Sequence, residues 1–257
     1  METEQLAVRL TSDVSETALM NHLDKAAWRR ILFDWKIYVG SLIYLGVTVS
    51  GYATALFVPS IVQSLGYSGI ESQIHSIPIW LVAAAVTLGT GFLTDRLKHR
   101  YGFVMFGVLF ASIGYIILLA QGPLDKGLPV SVRYMAVFFV CTGCYIVQPL
   151  TIVWLANNLS GHYKRAVGLA IQVGFGNIGG IVASNVFVRT QAPRYFVGYG
   201  VSLAMMLFCG IMSTVFAAGL LIENRKRNHA ARDGKLGLSE AERANLGDDD
   251  PSFRFSL

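Results

Sequence analysis

The 257-residue chain carries 21 Lys and Arg against 16 Asp and Glu, a formal charge of +5, yet only 14% of its residues are charged and 53% are apolar. A soluble domain averages about 25% charged residues, and here the charges are clustered between long stretches that have none. The pattern excludes a disordered chain, a basic nucleic-acid-binding domain and a small disulfide scaffold. It makes the anionic leaflet of a membrane the natural partner of the basic balance.

The first residues, Met1 to Leu10, include Glu2 and Glu4 and form no apolar h-region, so no cleavable targeting segment is read there. Residues 1–36 read as a polar to amphipathic arm. Leu23, Ala27 and Ile31, with Trp28 and Leu32 beside them, form one apolar helix face that suits the membrane surface, with Arg29 and Arg30 reaching headgroups. A solvated arm with a short helix is the alternative.

Six stretches then lack Asp, Glu, Lys and Arg: 37–70, 72–94, 101–124, 134–163, 166–188 and 195–222. Each reaches the ~20 residues that a helix needs to cross ~30 Å of hydrocarbon, and one mid-bilayer Lys, Arg or Asp would cost roughly 2.5–3.5 kcal/mol. The runs are too long for barrel strands and do not alternate polar with apolar. The expected fold is therefore all-α and membrane-spanning, with helices near 37–63, 75–95, 101–121, 132–157, 165–188 and 197–222. Pro59 and Pro78, with Gly66 and Gly69, are read as flanking the first outer connection. Gly122, Pro123 and Pro129 mark the second, and Pro193 the third.

Six spans put both ends of the chain on one side. That side collects seventeen of the 21 Lys and Arg, and the other holds Lys126, Arg133, Arg189 and Arg194. The positive-inside bias predicts cytoplasmic termini. The expected division is a cytoplasmic arm (1–36), a six-span bundle (37–222) and a cytoplasmic tail (223–257). The tail runs from basic to acidic and is expected to be flexible.

Several motifs carry little chemistry. Cys141 and Cys144 spell C-x-x-C inside an apolar helix, where packing outweighs a redox role. Gly174 to Gly179 matches G-x-G-x-x-G without the strand or the acidic residue of a dinucleotide site. Gly176, Gly180 and Ser184 follow at steps of four and read as a small-residue packing face, as do Gly46, Ser50 and Thr54 in the first span. The Asn158 sequon lies at a predicted cytoplasmic end, so no glycan is expected. The five histidines have no metal-ligand spacing. No nucleophile–base arrangement appears, so neither an enzyme, a metal nor a cofactor is expected.

Polar residues inside spans are the binding candidates, because unpaired polar atoms are costly in hydrocarbon. Thr48 and Tyr52 share a face of the first span. Cys141, Tyr145 and Gln148 share one on the fourth, where Pro149 should bend the helix. Asn177 lies mid-way along the fifth. Hydrogen bonding between helices, without substrate, is the alternative role for each. No Asp or Glu lies in the interior of any span.

Gly91-Phe92-Leu93-Thr94-Asp95-Arg96-Leu97-Lys98-His99-Arg100 joins the second and third spans. Gly91 permits close helix approach. Asp95 can face a helix N-terminus or pair with Arg96 or Arg100. This segment resembles the G-x-L-x-D-R-x-x-x-R loop of major facilitator superfamily transporters. Asp34-Trp35-Lys36, Phe57 to Val62, Leu65 to Ser68, Lys164-Arg165-Ala166, Gly176 to Ile181 and Asp250 to Phe255 resemble the second half of fungal allantoate/nicotinate permease-like carriers, which are anion:cation symporters. The resemblance covers about residues 30–257.

It implies a major-facilitator-type half bundle, the C-terminal six-helix half of a twelve-span carrier, with an internal 3+3 inverted repeat that the residues themselves do not display. It implies that the first and fourth spans line a central cavity, which favours Thr48, Tyr52, Tyr145 and Gln148 as substrate contacts, with Asn177 nearby. Gly91, Asp95, Arg96 and Arg100 would form a gating loop. The expected partners are the bilayer, a small organic solute (an organic anion or vitamin acid), and a missing N-terminal six-helix half or a second copy. The plasma membrane is the expected location. With no carboxylate inside a span, the coupling group is expected in the other half. The rival reading is a non-transporting six-helix membrane interaction protein or an inactive fragment of a carrier.

Overall fold

The computed structural model describes residues 25–121, 127–187, 194–232, 248 and 253–257. Expectations that rest on residues 1–24, Gly122, Pro123, Lys126, Arg189, Pro193, 233–247 and 249–252 lie outside them. The described residues form seven helices: α1 (Lys25–Leu32), α2 (Trp35–Ser64), α3 (Gly69–Leu97), α4 (Arg100–Leu119), α5 (Val130–Asn157), α6 (His162–Val186) and α7 (Phe196–Arg232). Six of them, α2 to α7, are long and apolar enough to cross a bilayer.

Local chemistry sets the helix ends. The Asp34 carboxylate caps α2 by accepting from the Lys36 amide at 2.9 Å. Ser68 and Glu71 form a reciprocal capping box at the start of α3. That cap starts α3 at Gly69, six residues before the predicted start at 75. Pro59 and Pro78 lie inside α2 and α3 and so flank the connection between them. Each removes one backbone donor near a helix end, and the cap beyond Pro78 keeps the first turns of α3 helical. The tail is not uniformly loose: α7 continues to Arg232, and residues 248 and 253–257 fold back onto the bundle.

The contacts between helices form a symmetric set. α2 packs on α6 and α7, α5 packs on α3 and α4, α2 meets α5, and α4 meets α7. Exchanging α2 with α5, α3 with α6 and α4 with α7 returns the same pairs. Successive spans reverse direction, so α2 and α5 run oppositely, and the two triplets form an inverted repeat. The central pair is the most enclosed: 61% of the apolar stretch of α2 and of α5 is buried, against 17% for α3 and 28% for α6. α4 and α7 back the central pair, while α3 and α6 flank it.

Small residues let these backbones approach. A Cβ at Gly143 on α5 would lie 2.5 Å from the Ala111 nitrogen and 2.6 Å from the Gly107 oxygen on α4. At Gly46 on α2 it would lie 2.8 Å from the Met205 oxygen on α7. The expected Gly46–Ser50–Thr54 face is used: Ser50 donates to the Ser202 carbonyl at 2.8 Å, and Thr54 shares a hydrogen bond with Tyr115 at 2.8 Å. On α6 the packing face runs through Gly176, Gly179 and Ala183. Side chains at Gly176 and Gly179 would meet Tyr44 and Val49. Gly180 lies at its edge, and Ser184 is exposed, bonded to the Ile181 carbonyl of its own helix. Gln172, fully buried, donates to the Gly40 carbonyl on α2 and the Thr151 carbonyl on α5. The thiols of Cys141 and Cys144 are free and buried.

Gly143→Val should cost about 1–3 kcal/mol, because backbone atoms of α4 must shift to admit it. Gly91→Ala, with nothing within 4 Å of the added atom, should leave stability unchanged or slightly raised. Thermal unfolding of the purified variants in detergent separates the two.

Candidate functional site

The open face of the central pair, bordered by α3 and α6, carries polar and aromatic side chains near the middle of the spans. Tyr52 on α2 is exposed, and its hydroxyl donates to Asn177 Oδ1 on α6 at 2.8 Å. Gly180 admits this arrangement, since a Cβ there would lie 3.3 Å from the Tyr52 ring. Across the face, Trp80 on α3 meets Tyr145 on α5 edge-on, with centroids 5.3 Å apart. The Gln148 side chain lies against Gly51, whose Cβ would be 3.6 Å from Gln148 Oε1. The Tyr52–Asn177 and Trp80–Tyr145 pairs occupy equivalent interfaces of the inverted repeat. Sequence reading had selected Tyr52, Tyr145, Gln148 and Asn177 but missed Trp80, whose mid-span position and indole N–H were the available signal.

Thr48 does not join this face. It is fully buried, and its hydroxyl donates to the Tyr44 carbonyl of its own helix. Cys141 is buried too.

The predicted gating residues divide between two environments. The Arg100 side chain turns inward and pairs with Asp95 at 3.4 Å. With the Asn157 amide oriented to satisfy it, Asn157 Oδ1 accepts from both terminal nitrogens of Arg100 at 2.8 and 2.6 Å. Arg100 thereby ties the start of α4 to the end of α5. Asp95 keeps 74% of its side chain exposed, and Arg96 is exposed as well. The turn between them and α4 passes through Lys98 in the left-handed region, φ 51°.

At the same end of the bundle lies a charge cluster that sequence reading missed. Asp34 pairs with Lys36 at 3.0 Å and Lys164 at 2.6 Å, and Asp248 pairs with the same two lysines at 2.8 Å each. All four side chains are at most 4% exposed. Alternating signs leave the ring neutral, which is the condition for burying four charges. The tail closes over it. Asn224 makes paired hydrogen bonds with the Phe255 backbone, and Asn158 does the same with Ser256. Trp154 donates to the Ser256 carbonyl at 3.1 Å, and the first amide of α4, from Arg100, donates to the Leu257 oxygen at 2.6 Å. The buried Phe255 ring meets both Lys36 and Arg227, with the cations 4.9 and 4.4 Å from its centroid.

No protein-family model matches the chain. Comparison with curated proteins is informative. An uncharacterized transporter of Schizosaccharomyces pombe is 30% identical, over 92% of this chain and 46% of the relative. The high-affinity nicotinic acid transporter of Saccharomyces cerevisiae is 30% identical, over 86% of this chain and 41% of the relative. A major facilitator-type transporter of Emericella nidulans is 27% identical, over 100% of this chain and 51% of the relative.

The chain is a homologue of major-facilitator-type transporters. It spans about half the length of the curated relatives it matches. All three of these relatives are named as transporters, and none as an enzyme. The six apolar helices are accordingly those of an integral, multi-pass membrane protein.

The ionic ring is also a source of pH dependence. Burial pushes the Asp34 carboxyl up, but the charges of Lys36 and Lys164 and hydrogen bonds to both pull it further down, below its ordinary value of 3.8. The folded state therefore favours the carboxylate. The stability this confers is present above pH 3.8 and fades as the pH falls below it. Asp34→Asn, which leaves a buried cation short of its partner, should cost about 3–5 kcal/mol at neutral pH. The gap in thermal stability between wild type and variant should narrow on acidification below that value. A gap that stays constant into that range would remove Asp34 as its source.

Proposed function

We propose that the chain is the C-terminal six-helix half of a secondary carrier that moves a small organic anion across the plasma membrane by alternating access. The observation that carries this reading is the polar, aromatic face of Tyr52, Trp80, Tyr145, Gln148 and Asn177, set at mid-depth on the open side of the central helices. Hydroxyl and amide groups supply hydrogen-bond donors, and the rings supply flat apolar surface. That combination suits a planar monocarboxylate, and one relative is named for nicotinic acid transport. A partner half, or a second copy of the chain, would close the other side of the site.

The cationic ends of the spans support cytoplasmic termini. In that orientation the arm before α2 and the tail after α7 flank the cytoplasmic end of the bundle. Asp95 and Arg96, exposed beside the inward-turned Arg100, are available to a helix of the partner half as a cytoplasmic gate. Among the described residues no carboxylate lies on the mid-depth face, which supports placing the coupling group in the partner.

Uptake of a radiolabelled pyridine monocarboxylate is the direct test, using proteoliposomes that hold this chain with a co-expressed complementary half. Uptake should require both halves. Tyr52→Phe removes one hydrogen bond, about 1 kcal/mol, and should lower uptake roughly fivefold. Asn177→Leu should lower it further, while loss of the Tyr52–Asn177 bond should cost either variant no more than about 1 kcal/mol of stability, so that both still fold. Uptake by the chain alone would instead favour paired copies, and no uptake under either condition would overturn transport of this substrate class.

A further inference from the structure

Beside α1, the charged ends of α2, α6 and α7 border an open cavity of about 660 Å³. Six cations line it: Arg29, Arg30, Lys36, Lys164, Lys226 and Arg227. Two carboxylates, Asp34 and Glu223, oppose them. The opposition is unevenly spent. Lys36 and Lys164 are matched by Asp34 and Asp248 in the ionic ring. Glu223 accepts from the Trp35 indole at 2.7 Å. Arg227 donates to the Phe253 and Asp248 carbonyls of the tail. Among the described lining residues cations outnumber carboxylates six to two, and Arg29 and Lys226 present their charges on exposed side chains.

The level of the cavity is set by its apolar neighbours. The Ile31 side chain is completely buried and anchors this short helix on the bundle. Trp28 and Leu32 on α1 are 45% and 43% exposed, and Phe33, which also lines the cavity, is 82% exposed. The span that begins two residues later turns apolar at Ile37. Exposed aromatic and aliphatic side chains beside Arg and Lys, at the point where a membrane helix starts, mark the headgroup layer.

We propose that this cavity binds a phosphate-bearing anion, and that its occupant is the headgroup of an acidic phospholipid. A free phosphate compound would gain the same cations. Only a lipid would also cover Trp28, Leu32 and Phe33 with its glycerol and acyl carbons while its phosphate meets Arg29 and Lys226. The inference concerns lipid recognition and is read without any transported solute, so it stands or falls apart from the transport reading.

The test uses the full chain purified in detergent. It is titrated with dioctanoyl phosphatidylinositol phosphate, with dioctanoyl phosphatidylcholine and with free inositol phosphate, and followed by thermal unfolding and native mass spectrometry. The acidic lipid should raise the melting temperature saturably and remain bound in the mass spectrum. Phosphatidylcholine should do neither, and free inositol phosphate should bind more weakly than the lipid. The double variant Arg29→Gln/Lys226→Gln should bind the acidic lipid roughly thirtyfold more weakly. Its melting temperature without lipid should match wild type, because no structural hydrogen bond is lost. Arg29→Lys/Lys226→Arg should restore binding, and Lys98→Gln, an exposed cation that does not line the cavity, should leave it intact. Equal binding of phosphatidylcholine, or undiminished binding by the double variant, would overturn the site. Equal affinity for free inositol phosphate would overturn the lipid as its occupant.

Discussion

Hydrocarbon tolerates no uncompensated charge, and the organisation of this protein follows from that constraint. Backbone polar groups within a span pair along their own helix, and several side-chain hydroxyls do the same. Ser41, Thr54, Ser76, Thr94 and Ser112 each donate to the carbonyl four residues earlier. Charges are displaced to the helix ends. There they either reach solvent, as Arg96 does, or gather into a neutral ring, as Asp34, Lys36, Lys164 and Asp248 do. The ring is the point where four charges are removed from water together. Its ability to do so rests on alternating signs and on a tail whose backbone is held by Asn158 and Asn224.

Because apolar surface gains little by leaving lipid, the helices are held together by close packing and by a few shared hydrogen bonds rather than by hydrophobic burial. This explains where the glycines fall. Gly46, Gly107, Gly143, Gly176 and Gly179 all lie where a neighbouring helix passes within contact distance of a side chain they lack. Gly89, Gly91 and Gly174 have open space beside them. A glycine within a helix is disfavoured by about 1 kcal/mol against alanine. At these last three positions, on the two flanking helices, nothing within this chain offsets that cost.

The six spans were legible in the sequence because the signal is an absence of charge over more than twenty residues, which few other structures tolerate. Details were lost where a second rule competed. The start of α3 was displaced by treating Glu71 as a boundary, although Ser68 and Glu71 already spell a capping box. The packing face of α6 was traced in steps of four, which drift around a helix of 3.6 residues per turn. Ser184 falls roughly 80° from Gly176, whereas Ala183 falls within about 20° of it. Thr48 carried the right chemistry on the wrong side of its helix. The partners of the ionic ring lie far apart in the chain, and no local pattern announces them. The docking of the tail did leave a trace: Phe253, Phe255 and Leu257 alternate with polar residues in a segment otherwise too charged to bury.

The distribution of constraints also says where motion is possible. Around the charged end, Arg100 joins α4 to α5, the ring joins the arm before α2 to α6 and the tail, and the tail joins α4, α5 and α7. Farther in, Gln172 joins α2, α5 and α6, and Ser50 joins α2 to α7. α3 is tied by Tyr134, whose hydroxyl donates to the His75 carbonyl at 2.8 Å, and by the edge-on contact of Trp80 with Tyr145. With all six spans linked to one another, sliding any one of them would break polar bonds that hydrocarbon does not replace. A rearrangement that spares these bonds is one in which the unit moves whole, and the face left free for it is the one that carries Tyr52, Tyr145 and Asn177. The same contacts that keep charge at the helix ends thus tie the six spans into one unit, and leave the candidate binding groups on its open face.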